Sequence, residues 1–202
     1  MTDTNVKIVR EKIAAGVGNC LTLEFANTAG WHLSDTPSER LVGWPEIVRW
    51  MGEMKLLSRE DQPRLSAARG DTARVVTIRE DIFRLGLARA KGNKPPRNIV
   101  ERLMLAAGGR APKVAASSTG LEWTFTARHA AEELATLLAR DALSLFCSPT
   151  AEKIGLCEGG ECGWLFLDES RSGRRRWCSM NDCGARAKAK RHYDRAKQSH
   201  AH

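Results

Sequence analysis

The sequence predicts an α+β protein in which a mainly helical amino-terminal domain with a small β-hairpin precedes a short cysteine-rich module that ends in a basic helix. Three observations support this fold class. Apolar residues recur at helical spacing through most of residues 44–147, two short apolar runs flank a turn-forming segment within residues 114–125, and four of the six cysteines cluster after residue 156. With 42% hydrophobic and 28% charged residues among 202, the chain has enough apolar material for a core. We expect two domains, residues 1–150 and 151–202.

The amino-terminal domain is expected to begin with a short strand, because Leu21, Leu23 and Phe25 alternate with polar neighbours. Helices are predicted downstream where a start signal precedes apolar residues at core spacing. These signals are a proline in the first helical turn at Trp44-Pro45, a capping box at Ser58 and Asp61, an N-cap at Asp71, and helical runs that begin at Asn98 and Arg128.

A β-hairpin is predicted ahead of the last of these helices. Residues 114–116 and 121–125 favour strands, and the Ser-Ser-Thr-Gly segment that ends at Gly120 favours a turn. The helix from Arg128 is stopped by Ser148-Pro149, which predicts a short, docked linker to the second domain.

Four cysteines form two close pairs, Cys157-x4-Cys162 and Cys178-x4-Cys183, with fifteen residues between the pairs. In a reducing compartment this spacing indicates a metal site rather than disulfides. Four thiolates complete a tetrahedral zinc shell, so we expect one structural Zn²⁺ ion with no position left for a reactive water. Because no paired carboxylates, phosphate-binding glycine loop or catalytic triad signature is recognisable either, the sequence predicts a protein that is not an enzyme.

The module around these cysteines is predicted to be a treble-clef-like or ribbon-like four-cysteine zinc finger. Residues 164–167 indicate a strand, residues 168–173 a turn and residues 174–177 the returning strand. Residues 184–197 lack proline and are rich in Ala, Lys and Arg, which predicts a helix. Its alanines at positions 185, 189 and 196 share one stripe, which we expect to pack against the hairpin.

The net charge is confined to this module. Residues 1–170 carry 22 basic and 22 acidic side chains, whereas residues 171–197 carry ten basic and two acidic ones, so the whole formal charge of +8 lies there. Such a footprint favours a polyanionic partner, of which nucleic acid is the commonest and an acidic membrane surface the rival. The polar residues 1–10 and the lack of an apolar run of about 20 residues predict a cytoplasmic protein.

Two stretches of the sequence resemble known families. Cys157…Cys162-Gly-Trp-Leu-Phe-Leu-Asp-Glu-Ser-Arg171 and Arg-Arg-Arg-Trp177-Cys178…Cys183-Gly-Ala-Arg186-Ala-Lys188 resemble the CGNR zinc finger. Cys20-Leu-Thr-Leu-Glu-Phe-Ala-Asn27-Thr28 and the Trp44-Pro45…Trp50 segment are similar to the ABATE domain that usually precedes this finger. The resemblance implies a stress-linked transcription regulator.

One position departs from the motif that gives the finger its name. The family has Cys-Gly-Asn-Arg, whereas this chain has Cys183-Gly184-Ala185-Arg186. Both cysteine pairs are retained, so metal binding is still expected. If the family's amide bonds to the knuckle or to a nucleotide, this protein holds its helix less rigidly or recognises a different sequence.

We therefore expect a DNA-binding finger whose fold depends on zinc. Phosphate contacts are expected from Arg174, Arg175, Arg176, Lys190 and Arg191, and base contacts from Arg186 and Lys188. The alternative is an RNA- or protein-binding co-regulator without sequence-specific DNA binding.

A single finger contacts too few base pairs to specify a site in a genome. We therefore expect the amino-terminal domain to serve dimerisation or effector sensing. Glu24 and Asn27 are polar residues in an apolar stretch and are candidates for an effector site, because polar groups need a partner if they are buried.

Overall fold

Seven α-helices and three two-stranded antiparallel sheets make up the part of the chain that the computed structural model describes, namely residue 18 and residues 20–117 and 120–199. The helices are α1 (Leu21–Ala26), α2 (Trp44–Glu53), α3 (Asp61–Ser66), α4 (Thr72–Ala90), α5 (Arg97–Ala107), α6 (Ala130–Phe146) and α7 (Ala185–Ser199). The strands are β1 (Ala29–Gly30), β2 (Ser38–Glu39), β3 (Lys113–Ser117), β4 (Gly120–Thr124), β5 (Ile154–Leu156) and β6 (Leu165–Leu167). The predicted fold class is confirmed. The polar opening at residues 1–10 and turn residues 118–119 lie outside the described residues.

Helix α6 organises the amino-terminal part, where it packs against α1, α4 and α5. Its fully buried residues Leu134, Leu138 and Ala142 recur every four positions, which places them on one face of the helix. From α4, Val75 and Ile82 enter the same core. The helical spacing seen in the sequence thus predicted which faces are buried.

Two helix starts follow the predicted chemistry, and a third follows it in part. The Asp71 carboxylate accepts a hydrogen bond from the Arg74 N–H at 3.0 Å and so caps α4. At α3 the Ser58 hydroxyl oxygen accepts one from the Asp61 N–H at 3.1 Å, but the residue before the helix is Glu60, which makes no side-chain cap, so the predicted capping box is only half formed. Pro45 lies in the first turn of α2, where its missing N–H has no helical partner to lose.

The predicted strand at Leu21, Leu23 and Phe25 is wrong, since these residues belong to helix α1. This short helix is enclosed by protein, and five of its six residues, polar Thr22 included, are buried. A helix buried on all sides shows no 3.6-residue stripe, so the alternation of its side chains suggested a strand.

The two predictions at the end of the amino-terminal part are confirmed. Strands β3 and β4 pair as a hairpin in which Val114 faces Trp123. After α6, Ser148 caps a short 3-10 turn at Pro149–Lys153, which packs against α6 with Ala151 buried. The link to the cysteine-rich part is therefore short and docked.

Strand β6 joins the cysteine-rich part to the helical core. It pairs with β5, so that Leu165 lies opposite Leu156 and Leu167 opposite Ile154. Leu165 and Leu167 are buried in the helical core, whereas Phe166 packs among the cysteines. Because successive side chains of a strand point to opposite faces, this one strand contributes to two cores at once.

The predicted returning strand at residues 174–177 is wrong. No strand is formed there, and the partner of β6 is β5, which precedes the first cysteine pair. The side chain of Arg175 explains the difference, because its guanidinium donates to the carbonyls of Leu167, Trp177 and Cys178. These bonds hold the segment in an irregular conformation against β6.

Candidate metal centre and nucleic-acid interface

The four clustered cysteines converge on one point. Cys157, Cys162, Cys178 and Cys183 are all buried, and their sulfur atoms lie within 4.8 Å of one another. The Sγ atoms of Cys162 and Cys178 are 3.8 Å apart, and those of Cys178 and Cys183 are 3.6 Å apart. The structure thus brings together all four predicted metal ligands.

These distances fit a zinc ion. A tetrahedron with Zn–S bonds of about 2.3 Å has S···S edges of about 3.8 Å, which both distances match closely. The set consists of four sulfur atoms, the donors typical of structural zinc sites. The residues present therefore fit one tetrahedral zinc ion.

Each pair of cysteines is carried by a tight turn. Cys157 follows β5, and Cys162 ends a 3-10 turn whose next residue, Gly163, has φ 66°. A side chain on Gly159 would place its Cβ 2.8 Å from the Cys183 sulfur, so only glycine permits this close approach. Cys183 lies in the π-helical turn Met180–Gly184 that leads directly into α7.

The thiols perturb one another strongly. Hydrogen bonds with the Cys162 and Cys178 thiols lower the pKa of Cys157 to about 7. The hydrogen bond with Cys157 in turn raises the pKa of Cys162 and Cys178, and burial adds to this rise. Burial and mutual repulsion oppose charge on neighbouring sulfur atoms, and a bound cation would offset that repulsion.

Arg186 links this cluster to the amino-terminal part. Its Nη2 donates to the Cys183 sulfur at 2.9 Å, and its guanidinium lies 5.0 Å from the ring centre of Trp31. Trp31 adopts a positive φ of 54°, which is uncommon for a residue other than glycine. Arg186 was predicted to reach base edges, and the structure places it against a ligand sulfur and an aromatic ring.

Arg175, which is half-buried, is also engaged by groups of the protein itself. Besides its three carbonyl acceptors, its guanidinium lies 4.4 Å from the ring centre of Phe166, and its backbone N–H donates to Asp168 at 2.8 Å. Hydrogen bonds from Ser170 and from this N–H lower the pKa of Asp168. The residue predicted as a phosphate contact therefore braces the segment between the two cysteine pairs.

The two neighbouring arginines differ in their partners. The Arg176 guanidinium donates to the Glu158 carboxylate at 2.6 Å and lies 5.0 Å from the Trp177 ring centre. Arg174 is exposed and has no hydrogen-bond or ion-pair partner among the described residues. Of this predicted phosphate-binding triplet, Arg174 is the member that is free to bind another molecule.

Helix α7 extends from the cluster into solvent. Its basic residues Lys188, Lys190 and Arg191 are exposed, and Arg191 makes only a 3.4 Å bond to a carbonyl of its own helix. The expected packing of the alanine stripe against the hairpin is wrong, because Ala185 and Ala189 are also exposed. No element of the described part of the chain therefore covers the cations of this helix.

Sequence reasoning missed the structural roles of three residues that shape this site. Trp31, Glu158 and Asn27 contact Arg186, Arg176 and Leu165 respectively. Trp31 and Asn27 are more than a hundred residues from their partners, so no local spacing signals these contacts. Glu158 lies between the two cysteines of the first pair. An acidic residue at this place in a basic module was the one signal that could have indicated an ion pair with a nearby arginine.

The two effector-site candidates have structural partners. The Asn27 amide bonds to the backbone of Leu165, and the Glu24 carboxylate accepts a hydrogen bond from the Gly18 N–H at 2.6 Å. Both side chains are buried. Their burial within an apolar stretch is thus explained by contacts inside the protein.

Comparison with known families is consistent with this geometry. The ABATE family, described as "Putative stress-induced transcription regulator", matches residues 19–149, which is more than half of the chain. The chain belongs to the ABATE family. The CGNR zinc finger matches residues 153–196 of this ABATE protein, so the four cysteines lie in a CGNR finger. No curated protein matches the chain.

The family description agrees with the sequence analysis at a coarse level. The ABATE family is described as a transcription regulator and not as a family of enzymes. The finger's third motif position is Ala185 in this ABATE protein, and that residue is exposed at the first turn of α7. Within the described ranges, no helix is both long and apolar enough to cross a membrane.

Proposed function

We propose that this ABATE protein is a zinc-dependent DNA-binding transcription regulator without catalytic activity. The observation that carries the proposal is the junction of four buried, converging sulfur atoms with an exposed basic helix that begins two residues after Cys183. The cluster of four cysteines would then hold the basic helix in one position, so that its cations lie at fixed distances from one another and from Arg174. The cytoplasmic location expected from the sequence stays a prediction.

Zinc would be held by Cys157, Cys162, Cys178 and Cys183, where it would crosslink the two turns that carry them. The protein's own contacts then fix the direction of α7. The Trp164 indole donates to the Ala29 carbonyl at 2.9 Å, and Leu165 lies in the helical core, so the β5–β6 pair is anchored to the amino-terminal part. Arg186 contacts Trp31 of the amino-terminal part and so connects the first turn of α7 to it.

The proposed phosphate contacts are the exposed cations that the fold leaves available. They are Arg174, Lys190 and Arg191, with Arg176 shared with Glu158. The exposed Lys188 stays a proposed base contact. If about four phosphates are neutralised, the logarithm of the binding constant falls with the logarithm of salt concentration with a slope of about −4. The guanidinium groups of Arg175 and Arg186 are engaged by groups of the protein itself, that of Arg175 by three backbone carbonyls and that of Arg186 by the Cys183 sulfur and the Trp31 ring.

Duplex DNA binding by the zinc-loaded protein, measured by fluorescence anisotropy between 50 and 200 mM salt, tests the proposal. The double variant Lys190→Ala/Arg191→Ala should reduce the slope by about 2 and weaken all sequences alike. The control Lys94→Ala/Lys113→Ala removes the same charge from exposed residues outside the finger and should leave the slope unchanged. A binding constant that does not change with salt concentration contradicts DNA binding. Tighter binding to RNA of the same sequence than to DNA favours the co-regulator alternative.

We further propose that residues 1–150 supply dimerisation or effector sensing, while residues 151–202 form the finger. Two family matches support the division, because the ABATE match ends at residue 149 and the CGNR zinc finger match begins at residue 153. One finger covers few base pairs, so a dimer would double the contacts. Sedimentation velocity of the zinc-loaded chain should show a mass of twice 22.3 kDa, and a monomer at every concentration contradicts the dimer.

A further inference from the structure

An open bowl lies beside the second cysteine pair, on the irregular segment between β6 and α7. Eight residues between Ser170 and Met180 line it, Arg171 not among them, and its volume is about 480 Å³. This volume lies within the range of small-molecule pockets, roughly 300 to 1,000 Å³. The family matches assign no ligand to it.

The charge of the bowl is suited to an anion. The described residues that line it include the three arginines 174–176 and three serines, and none of them carries a carboxylate. Two acids that contact lining residues already have partners there, because Asp168 accepts from Ser170 and Glu158 accepts from Arg176. Arg174 therefore keeps an unpaired guanidinium at the wall, next to serine hydroxyls that can also donate to phosphate oxygens.

The bowl also contains a flat surface. The Arg176 guanidinium lies over the Trp177 ring and is fixed there by Glu158. Planar arginine and aromatic groups are the surfaces on which unstacked bases pack. Met180 is 67% exposed and adds an apolar, polarisable thioether beside them.

We propose that this bowl binds one unpaired nucleotide, with the phosphate at Arg174 and Ser172 and the base against Arg176, Trp177 and Met180. The inference rests on the proposed function, because it extends the same nucleic-acid surface from phosphate contacts to a base. A duplex keeps its bases stacked and paired, so its flat faces are not available to the bowl. A free nucleoside monophosphate offers the same chemistry as an unpaired nucleotide in a strand.

The test compares three probes against the full-length, zinc-loaded protein. They are an intact duplex, the same duplex with one unpaired nucleotide in its centre, and adenosine monophosphate. The duplex with the unpaired nucleotide should bind about tenfold more tightly than the intact one, as expected for one stacked base. Adenosine monophosphate should displace the unpaired nucleotide from the bowl, so in its presence the two duplexes should bind with equal affinity.

The variant Arg174→Ala should weaken binding of both duplexes, because it removes a phosphate contact. It should weaken the duplex with the unpaired nucleotide more, because the phosphate of that nucleotide is held at Arg174. The matched control is Arg171→Ala, because Arg171 is exposed, has no partner among the described residues and does not line the bowl. It should lower affinity for both duplexes equally and leave the preference intact.

Two results overturn the inference. If the intact and interrupted duplexes bind equally with a salt-dependent affinity, the bowl does not bind a nucleotide while the proposed DNA binding survives. If Arg171→Ala and Arg174→Ala reduce the preference to the same extent, the effect is one of general charge and the bowl is not the site. Failure to bind any of the three probes would overturn the proposed function as well.

Discussion

The side chain of Asn27 brackets the backbone of Leu165. Its Nδ2 donates to the Leu165 carbonyl at 2.8 Å, and its Oδ1 accepts from the Leu165 N–H at 2.9 Å. Leu165 lies in β6, and the two residues are 138 positions apart in the chain. One amide thus satisfies both backbone groups of a strand residue on the side away from β5, and so joins the helical part to the finger.

Replacing this amide should destabilise the protein strongly. Asn27→Ala leaves two buried backbone groups without partners, which costs about 2 to 4 kcal/mol of unfolding free energy. Asn27→Asp should also destabilise, because a carboxylate cannot donate to the Leu165 carbonyl. Urea denaturation measures the change, with Asn98→Ala at an exposed position as the control. An unfolding midpoint for Asn27→Ala equal to that of the wild type would contradict the bracket.

Gly86 of α4 permits the close approach of the same strand. A Cβ atom at this position would lie 2.4 Å from Cδ1 of Leu165, which is fully buried. Alanine favours a helix by about 1 kcal/mol over glycine, but overpacking costs about 1 to 3 kcal/mol. We expect Gly86→Ala to lower the unfolding free energy by about 1 kcal/mol.

The sign should reverse when the clash is removed. In a Leu165→Val background, which lacks the δ carbons, Gly86→Ala should stabilise by about 0.5 to 1 kcal/mol. Thermal and urea unfolding of the four proteins in this cycle measure the coupling. If Gly86→Ala has the same effect in both backgrounds, the close approach to Leu165 does not determine the need for glycine.

Glu80 gives the protein a stabilising contact that acid removes. Burial raises the pKa of its carboxyl group, but hydrogen bonds and charge from His32 and Arg79 outweigh this effect and lower the pKa to about 2. Since the folded pKa is below the ordinary value of 4.5, the contribution is fully present above pH 4.5 and is lost as the pH falls toward 2.

The variant Glu80→Gln should therefore be less stable than the wild type at pH 7. Allowing for partial solvent screening, we expect a difference of about 1 to 2 kcal/mol. The difference should shrink as the pH falls from 4.5 toward 2. Urea denaturation at stepped pH measures it, with Glu101→Gln, from an exposed ion pair with Arg97, as the control. A difference that is constant with pH would show that ionisation of Glu80 is not the cause.

The sequence predicted most helices of the fold because their signals are local. The Asp71 cap and the four-residue spacing of Leu134 and Leu138 depend only on neighbouring residues, and both hold in the structure. Helix α1 was mistaken for a strand because its burial on all sides is a tertiary property. Pairing of β5 with β6 was missed because a three-residue strand carries too little pattern to compete with the basic segment at 174–177.

The cysteine cluster was predictable, whereas the roles of the individual arginines were not. Sulfur ligands at fixed spacing define a metal site wherever the chain folds. An arginine, by contrast, has the same sequence signature whether it faces solvent, as Arg174 does, or donates to three carbonyls, as Arg175 does. Only the surrounding acceptors separate the two, and those are set by the tertiary structure.

Arg186 should slow the release of zinc from the finger. Its hydrogen bond to the Cys183 sulfur stabilises negative charge on a predicted ligand, and contacts of this kind contribute about 10- to 100-fold to metal affinity. We expect Arg186→Ala to increase the rate of zinc transfer to a chromogenic chelator about tenfold or more.

Two further variants separate this effect from those of charge and packing. Arg195→Ala removes the same charge from an exposed residue of α7 and should leave the rate unchanged. Trp31→Ala removes the stacking partner but keeps the sulfur contact, so it should accelerate transfer less than Arg186→Ala does. If Arg186→Ala releases zinc at the wild-type rate, the guanidinium does not support the metal site. If Trp31→Ala matches Arg186→Ala, the arginine acts by docking α7 on the amino-terminal part and not through the sulfur.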